Sequence, residues 1–204
     1  TEAVSAALAY ILYARKTDID YINKLNVYDI ENYMELDYAT RRNLEITEIM
    51  RDKSKIGSLF WVLDKTRTSM GRRRLKRWIE RPLRDSKDIN LRLMSVKELV
   101  DDVMVRDDIR EALNKTYDIS RIISRIALHT VTPKDMVSLK QTLKQLPQLQ
   151  YILSGLKAPL FKAMYTRLDI LEDVRDLIEA AIDEVNAIAI VRPGRMINDG
   201  FHDH

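Results

Sequence analysis

Apolar residues recur at helical spacing along most of this chain, and that period constrains its fold more than any other feature. Ile89, Leu93, Val96, Val100 and Val103 follow at intervals of four, three, four and three, which sets them on one face of a helix. Ile119, Ile122, Ile123 and Ile126 gather on one side of a second helix, with Arg121 and Arg125 on another side. Met136, Leu139, Leu143 and Leu146 give a third helix its buried face. Leu171, Val174, Ile178, Ala181 and Val185 carry a fourth, over about 169–184. Val4, Leu8, Ile11 and Leu12 predict an amphipathic helix over 3–16, and a further helical signal begins near Thr40 in "TRRNLEITEIM". Asp85 and Ser86 offer a cap to the helix that follows them. Thr132-Pro133-Lys134-Asp135 combines a cap, a proline suited to the first turn and an acid that favours the positive helix end.

The 204 residues include only five Gly and five Pro, so little interrupts these helices. Strand-like patterning is confined to two places. Val27 and Tyr28, then Tyr33, Met34 and Leu36, flank an Asp-Ile-Glu-Asn break and read as two short strands. "AIAIVRPGRMINDGF", residues 187–201, separates β-like apolar stretches with Pro-Gly and Asn-Asp-Gly turns. The expected fold is mainly α, a multi-helix core with minor β pieces near both ends. With 46% hydrophobic and 32% charged residues the chain can bury a sizeable core and is not disordered. No apolar run is long enough to span a bilayer and no secretory leader is visible, so no membrane partner is expected. The absence of Cys excludes disulfides and thiolate metal sites, and suits a reducing, cytoplasmic setting. The chain starts at Thr1 inside a helical pattern and stops at His204 straight after a turn, so a piece of a longer polypeptide is expected.

Charge is unevenly spread. Residues 65–84 hold nine basic side chains against one acid, Glu80; the net charge of +3 therefore divides into +8 there and −5 elsewhere. Such asymmetry points toward a polyanionic partner. Around a helix over residues 70–82, Leu75, Trp78 and Ile79 cluster on one face with Gly71 beneath them. Arg73, Arg77 and Arg81 form an i, i+4, i+8 ridge opposite, with Lys76 and Glu80 as an i, i+4 pair beside it. Arg72 falls at the apolar edge, where it should lie along the core and meet an acid from a neighbouring helix. Gly71 suggests a close approach by a neighbour, and Pro82 ends the helix. Ser69 as the cap would put Arg72, Arg73 and Arg74 in the first turn, where the helix dipole disfavours positive charge unless acids or a phosphate relieve it. The favoured reading is a scaffold helix with a wet basic side. Arg73, Lys76, Arg77 and Arg81 are the candidate nucleic-acid contacts of the rival reading, an autonomous helical nucleic-acid-binding module.

Catalytic patterns are missing. The sequence has no Gly-rich phosphate loop, so no cofactor is expected in this piece, and no nucleophile, base and acid can be grouped. His129 reads as a helix-end residue that complements the dipole. His202 and His204, with Asp203 between them, make only a weak metal motif without a supporting shell. Asp101-Asp102 and Asp107-Asp108 read as solvated caps around a helix break. No enzyme is expected from this piece, and no metal.

"LDYATRRNLEIT" (36–47), "GSLFWVLDKTRTSMGRRRLKRWIERPL" (57–83), "YDISRIISRIALHTVTPKDMVSLKQTLKQLP" (117–147) and "INDGF" (197–201) occur in the order found in the core domain of the MutS family of DNA mismatch-recognition ATPases, and the whole chain resembles it, in its bacterial form. The resemblance implies that residues 1–17 are the helix leaving a connector domain. Residues 18–204 would then be the first segment of the helical core, with clamp, second core segment and ATPase lying elsewhere in the parent. It also implies ATP and Mg in the parent, DNA contacted through the parent, a homodimeric parent, and the other domains of the same chain as partners. Thr40, Arg41, Arg42, Asn43 and Glu45 match the family's "TRRNLEI" segment and are expected to fix the junction between connector and core. No family catalytic residue maps onto this chain.

Overall fold

The computed structural model describes residues 2–15, 32–189, 197, 198 and 201. It divides into two compact units, Thr1–Ile30 and Glu31–His204, each described by itself. The first contains helix α1 (Glu2–Arg15). Five alanines make this segment a strong helix former, and Glu2 sits in the first turn where a negative charge suits the dipole.

The second unit holds eleven helices among the described residues: α2 (Tyr38–Asn43), α3 (Leu59–Leu63), α4 (Ser69–Glu80), α5 (Ser86–Asp101), α6 (Val103–Asn114), α7 (Ile119–Ala127), α8 (Pro133–Leu143), α9 (Leu146–Gly155), α10 (Pro159–Arg167), α11 (Glu172–Ala181) and α12 (Glu184–Ala189). Most begin on a short polar side chain. Asp37, Ser58, Thr68, Asp85, Asp102 and Asp118 each accept a backbone N–H of the helix they precede. At α8 the capping is reciprocal: Thr132 accepts from the Asp135 N–H at 3.2 Å, and the Asp135 carboxylate accepts from the Thr132 N–H at 3.0 Å. The N-terminal end of α10 lacks a local cap and is served from a distance. Glu98 on α5 accepts the Lys157 N–H at 2.6 Å and the Ala158 N–H at 2.8 Å.

Two apolar clusters organise the unit. Ile122 of α7, Leu139 and Leu143 of α8 and Ile178 of α11 are buried together, with Ile119, Met136, Leu146, Val174 and Ile182 around them. Each such side chain contributes about 1.5–3 kcal/mol by leaving water. Leu156, Ala158 and Phe161 form the second cluster, packed by Leu99 and Val105 at the α5–α6 corner and by Ile109 and Leu153. Between them Thr142, buried, accepts the Tyr117 N–H at 2.8 Å and donates to the Ser138 carbonyl at 2.9 Å, so its hydroxyl is satisfied.

Several sequence expectations shift. The helical signal at Thr40 ends at Asn43, because Glu45 and Lys53 adopt left-handed backbone and turn the chain toward α3. The second proposed strand, at 33–36, reduces to an isolated antiparallel bridge between Tyr33 and Leu83, closed by the Met34 N–H donating to the Pro82 carbonyl at 2.8 Å. The first, at Val27 and Tyr28, lies outside the described residues. At the other end one bridge, Ile182 to Ile197, is described; the rest of 190–201, with His202 and His204, lies mostly or wholly outside them. The fourth predicted helix starts at Glu172 and breaks at Ile182–Asp183, so Val185 belongs to α12 and is exposed. Asp102 is a cap at the α5–α6 break as expected, whereas Asp107 and Asp108 lie inside α6. On α7, Ile122 is buried but Ile123 and Ile126 are exposed. Most consequential is α5: its apolar stripe stands in water, with Leu93, Val96 and Val100 56–58% exposed, while the face carrying Ser95 and Leu99 turns inward.

Candidate nucleic-acid interface

Helix α4 presents the basic face, and its sequence explains its frame. Thr68, not Ser69, is the cap, its hydroxyl accepting the Gly71 N–H at 2.9 Å. A Cβ on Gly71 would sit 3.0 Å from that same hydroxyl oxygen and 3.7 Å from Thr66 Cβ. The close neighbour is thus the helix's own cap and the approach to it. Pro82 follows a C-cap Arg81 in non-helical backbone, as the sequence requires. Leu75, Trp78 and Ile79 turn inward and are half-buried.

Thr68 as cap places Ser69, Met70 and Gly71 at the first three helical positions, ahead of the arginines, and acids meet two of the three, Arg72 and Arg73. Arg72 pairs with Asp64 at 2.8 Å and lies 5.5 Å over the Phe60 ring, the position expected at the apolar edge. Arg73 grips Asp118 with both terminal nitrogens, at 2.6 and 2.8 Å, and Ser69 Oγ donates to the same carboxylate at 3.1 Å. This fork is the geometry that suits guanidinium to carboxylate. The hydrogen bond from Arg73 holds the Asp118 pKa down at about 2, helped by the Arg121 N–H and Ser69 against the opposing effect of burial. The Arg73 pKa is raised by the same bond.

Two further guanidiniums gather on one indole. Arg92 of α5 lies 3.9 Å from the Trp78 ring centroid and Arg74 lies 5.5 Å from it. Burial, then the nearby Arg74 charge, pushes the Arg92 pKa down. Lys76 meets Glu80 loosely at 3.7 Å, and Arg77 forms no ion pair among the described residues. Arg73, Arg74, Lys76, Arg77, Arg81, Glu80, Met70 and Ser120 line a groove of about 520 Å³. Of the four cations singled out in the sequence, Arg73 is therefore bound into an internal ion pair, while Lys76, Arg77 and Arg81 border the groove together. Arg74, Arg92 and Asp118 were not singled out. Asp118 lies 45 residues from Arg73, and no local spacing rule links the two.

The junction segment has a different geometry. Asp37 caps α2 through the Thr40 N–H at 2.6 Å, and Arg41 Nε donates to the Asp37 carbonyl at 3.4 Å. Glu45 accepts the Met50 N–H at 2.7 Å on its carboxylate, and the Leu59 N–H at 3.1 Å on its carbonyl. Ile46, buried, accepts the Phe60 N–H at 2.8 Å on its carbonyl, so this turn is stitched to the start of α3. Arg42 and Asn43 are exposed.

Elsewhere polar groups serve structure. A cavity of about 890 Å³ beside α5, α6 and α9 is bordered by Glu98, Asp101, Asp102 and Asp108. Glu98 and Asp102 cap helices there, and Asp101 pairs with Lys97 at 2.7 Å. A smaller cavity of about 440 Å³ is lined by Leu99, Ile109, Leu149, Leu153 and Phe161 with Arg167 as its charged member. Among the described residues no group of three or more His, Cys, Asp or Glu could hold a metal ion, and no helix is long and apolar enough to cross a membrane. His129, exposed and left-handed at φ 53°, follows the last turn of α7, its N–H bonded to the Ile126 carbonyl at 3.0 Å.

Residues 39–197 match the family model described as MutS domain III. A DNA mismatch repair protein MutS from Ruminiclostridium cellulolyticum is 45% identical over 200 residues, covering 98% of this chain and 23% of the relative. Its counterpart from Acetivibrio thermocellus is 43% identical over 201 residues, with 98% and 23% covered. That from Clostridium botulinum strain Langeland is 41% identical over 202 residues, with 99% and 22% covered. The chain thus spans less than a quarter of the length of these curated relatives.

Proposed function

Because this chain belongs to the MutS domain III family, we propose that it is the structural core segment of a mismatch-repair protein, linking a DNA-holding clamp and a connector to an ATPase. The observation that carries the reading is the near-complete coverage of the chain, at 45% identity, by less than a quarter of a relative named for mismatch repair. The packing fits the role. Rigid helices pinned by buried clusters and long-range ion pairs move as bodies between discrete arrangements, and so can couple distant sites. Residues 1–17 leave the connector in this reading, 18–204 form the first core segment, and Thr40, Arg41, Arg42, Asn43 and Glu45 fix the junction. DNA is a partner through the parent, which acts as a cytoplasmic homodimer. ATP and Mg belong to parts of that protein with a phosphate-binding loop, for which this sequence offers no counterpart; the segment itself catalyses nothing.

The test uses the polypeptide that carries this segment. Ile178→Ala opens a cavity between α8 and α11 and should loosen the bundle by about 2–5 kcal/mol. Mismatch-dependent stimulation of ATP turnover should then fall while turnover without DNA is retained. Equal loss of both, or loss of neither, overturns the linking role.

The groove on α4 favours a second reading, direct nonspecific contact with nucleic-acid phosphates by Lys76, Arg77 and Arg81, with Arg73 held back by Asp118. Duplex binding by the 204-residue chain should in that case weaken steeply with salt and lose part of that slope when Lys76 and Arg77 are neutralised. Weak binding with no change on neutralisation leaves the scaffold reading alone.

A further inference from the structure

We propose that Lys140 and Glu184 form a charge clasp that docks α12 against α8. Lys140 is on the inner side of α8, its side chain 3% exposed. Its ammonium reaches Glu184 Oε2 at 2.7 Å and lies 4.0 Å from Glu179 Oε1 of α11. The other Glu184 oxygen accepts from Gln141 Nε2 at 3.0 Å, and Glu179 is held by Lys144 at 3.0 Å.

The clasp lies across a break. Ile182 adopts extended backbone after α11, and Asp183 restarts the helix by accepting the Val185 and Asn186 N–H groups and the Asn186 side chain. Two non-helical residues therefore separate α11 from α12. Ala187 of α12 is buried and Val185 is exposed. Burying an ammonium is strongly unfavourable unless it is paired, so docking of α12 and neutralisation of Lys140 are one event. The hydrogen bond from Lys140 holds the Glu184 pKa down, with Gln141 and Lys144 assisting against burial.

Amide hydrogen exchange on the 204-residue chain tests this without reference to mismatch coupling, so the two readings can fail separately. Glu184→Gln keeps the shape at a partly exposed position, so the chain should fold. Exchange at residues 187–189 should accelerate at least tenfold, while amides of Leu139, Leu143 and Ile178 stay within twofold. In a Lys140→Met background, with no ammonium to neutralise, Glu184→Gln should add less than twofold. Unchanged exchange at 187–189, equal acceleration throughout the bundle, or the same added factor in both backgrounds overturns the clasp. If the Lys140→Met chain does not fold, the Glu184→Gln measurement alone decides.

Discussion

Asp118 collects two guanidinium nitrogens, a serine hydroxyl and the Arg121 N–H of α7, and so joins α4 to the start of α7. Its folded pKa of about 2, against 3.8 unperturbed, means that the folded chain binds this proton later than the unfolded one. The stability it contributes is complete above pH 4 and is lost as pH falls from about 4 toward 2. Asp37, Asp135 and Glu184 are shifted in the same direction, so each also contributes stability that is lost on the acid side of its unperturbed pKa. Asp118→Asn should therefore lower the melting temperature at pH 7 and flatten its fall between pH 4 and 2, in thermal unfolding followed by circular dichroism. An acid limb as steep as in the wild type counts against the pairing. Arg72 shows what the sequence could say at this scale. Helical geometry placed it at the apolar edge, and an acid meets it there. The partner of Arg73 comes from a remote segment, and one-dimensional spacing carries no information about which remote acid folds back.

At the scale of elements, start signals were the most legible feature. Thr132, Pro133 and Asp135 predicted the beginning of α8, and the structure adds the reciprocal bonds of a capping box. Thr132→Ala removes one half of that box and should cost about 1 kcal/mol in urea unfolding. A loss below a few tenths would show that Asp135, also paired with Arg125, holds the end alone. Helices lacking a local signal escaped notice. The start of α10 relies on Glu98, 59 residues away in sequence, and α9 begins without a side-chain cap. Where α2 stops was hard to read, because Glu45 just past it adopts left-handed backbone that a glutamate does not announce. The basic groove was legible as a face of α4, but the pairing of Arg73 and the company of Arg74 on Trp78 were not, since Asp118 and Arg92 come from other helices.

At the scale of the whole molecule, the period that revealed α5 also conceals a choice. A helix with apolar residues on two faces looks the same in sequence whichever face it buries. Here Leu99 turns toward Phe161, and Leu93, Val96, Val100 and Val103 are left in water beside an exposed Met104. A contiguous apolar stripe of this kind is unusual on a monomer and favours association. Sedimentation velocity over rising concentration should therefore reveal reversible self-association of the 204-residue chain. Val96→Gln with Val100→Gln should suppress it, and because both side chains are exposed, stability should change by no more than about 0.5 kcal/mol per site. A chain that sediments as a monomer at every concentration overturns the self-association, and association that survives the double substitution moves the sticky surface elsewhere. The next candidate is the exposed Leu59, Val62 and Leu63 of α3, and glutamine at Val62 would then be the discriminating change.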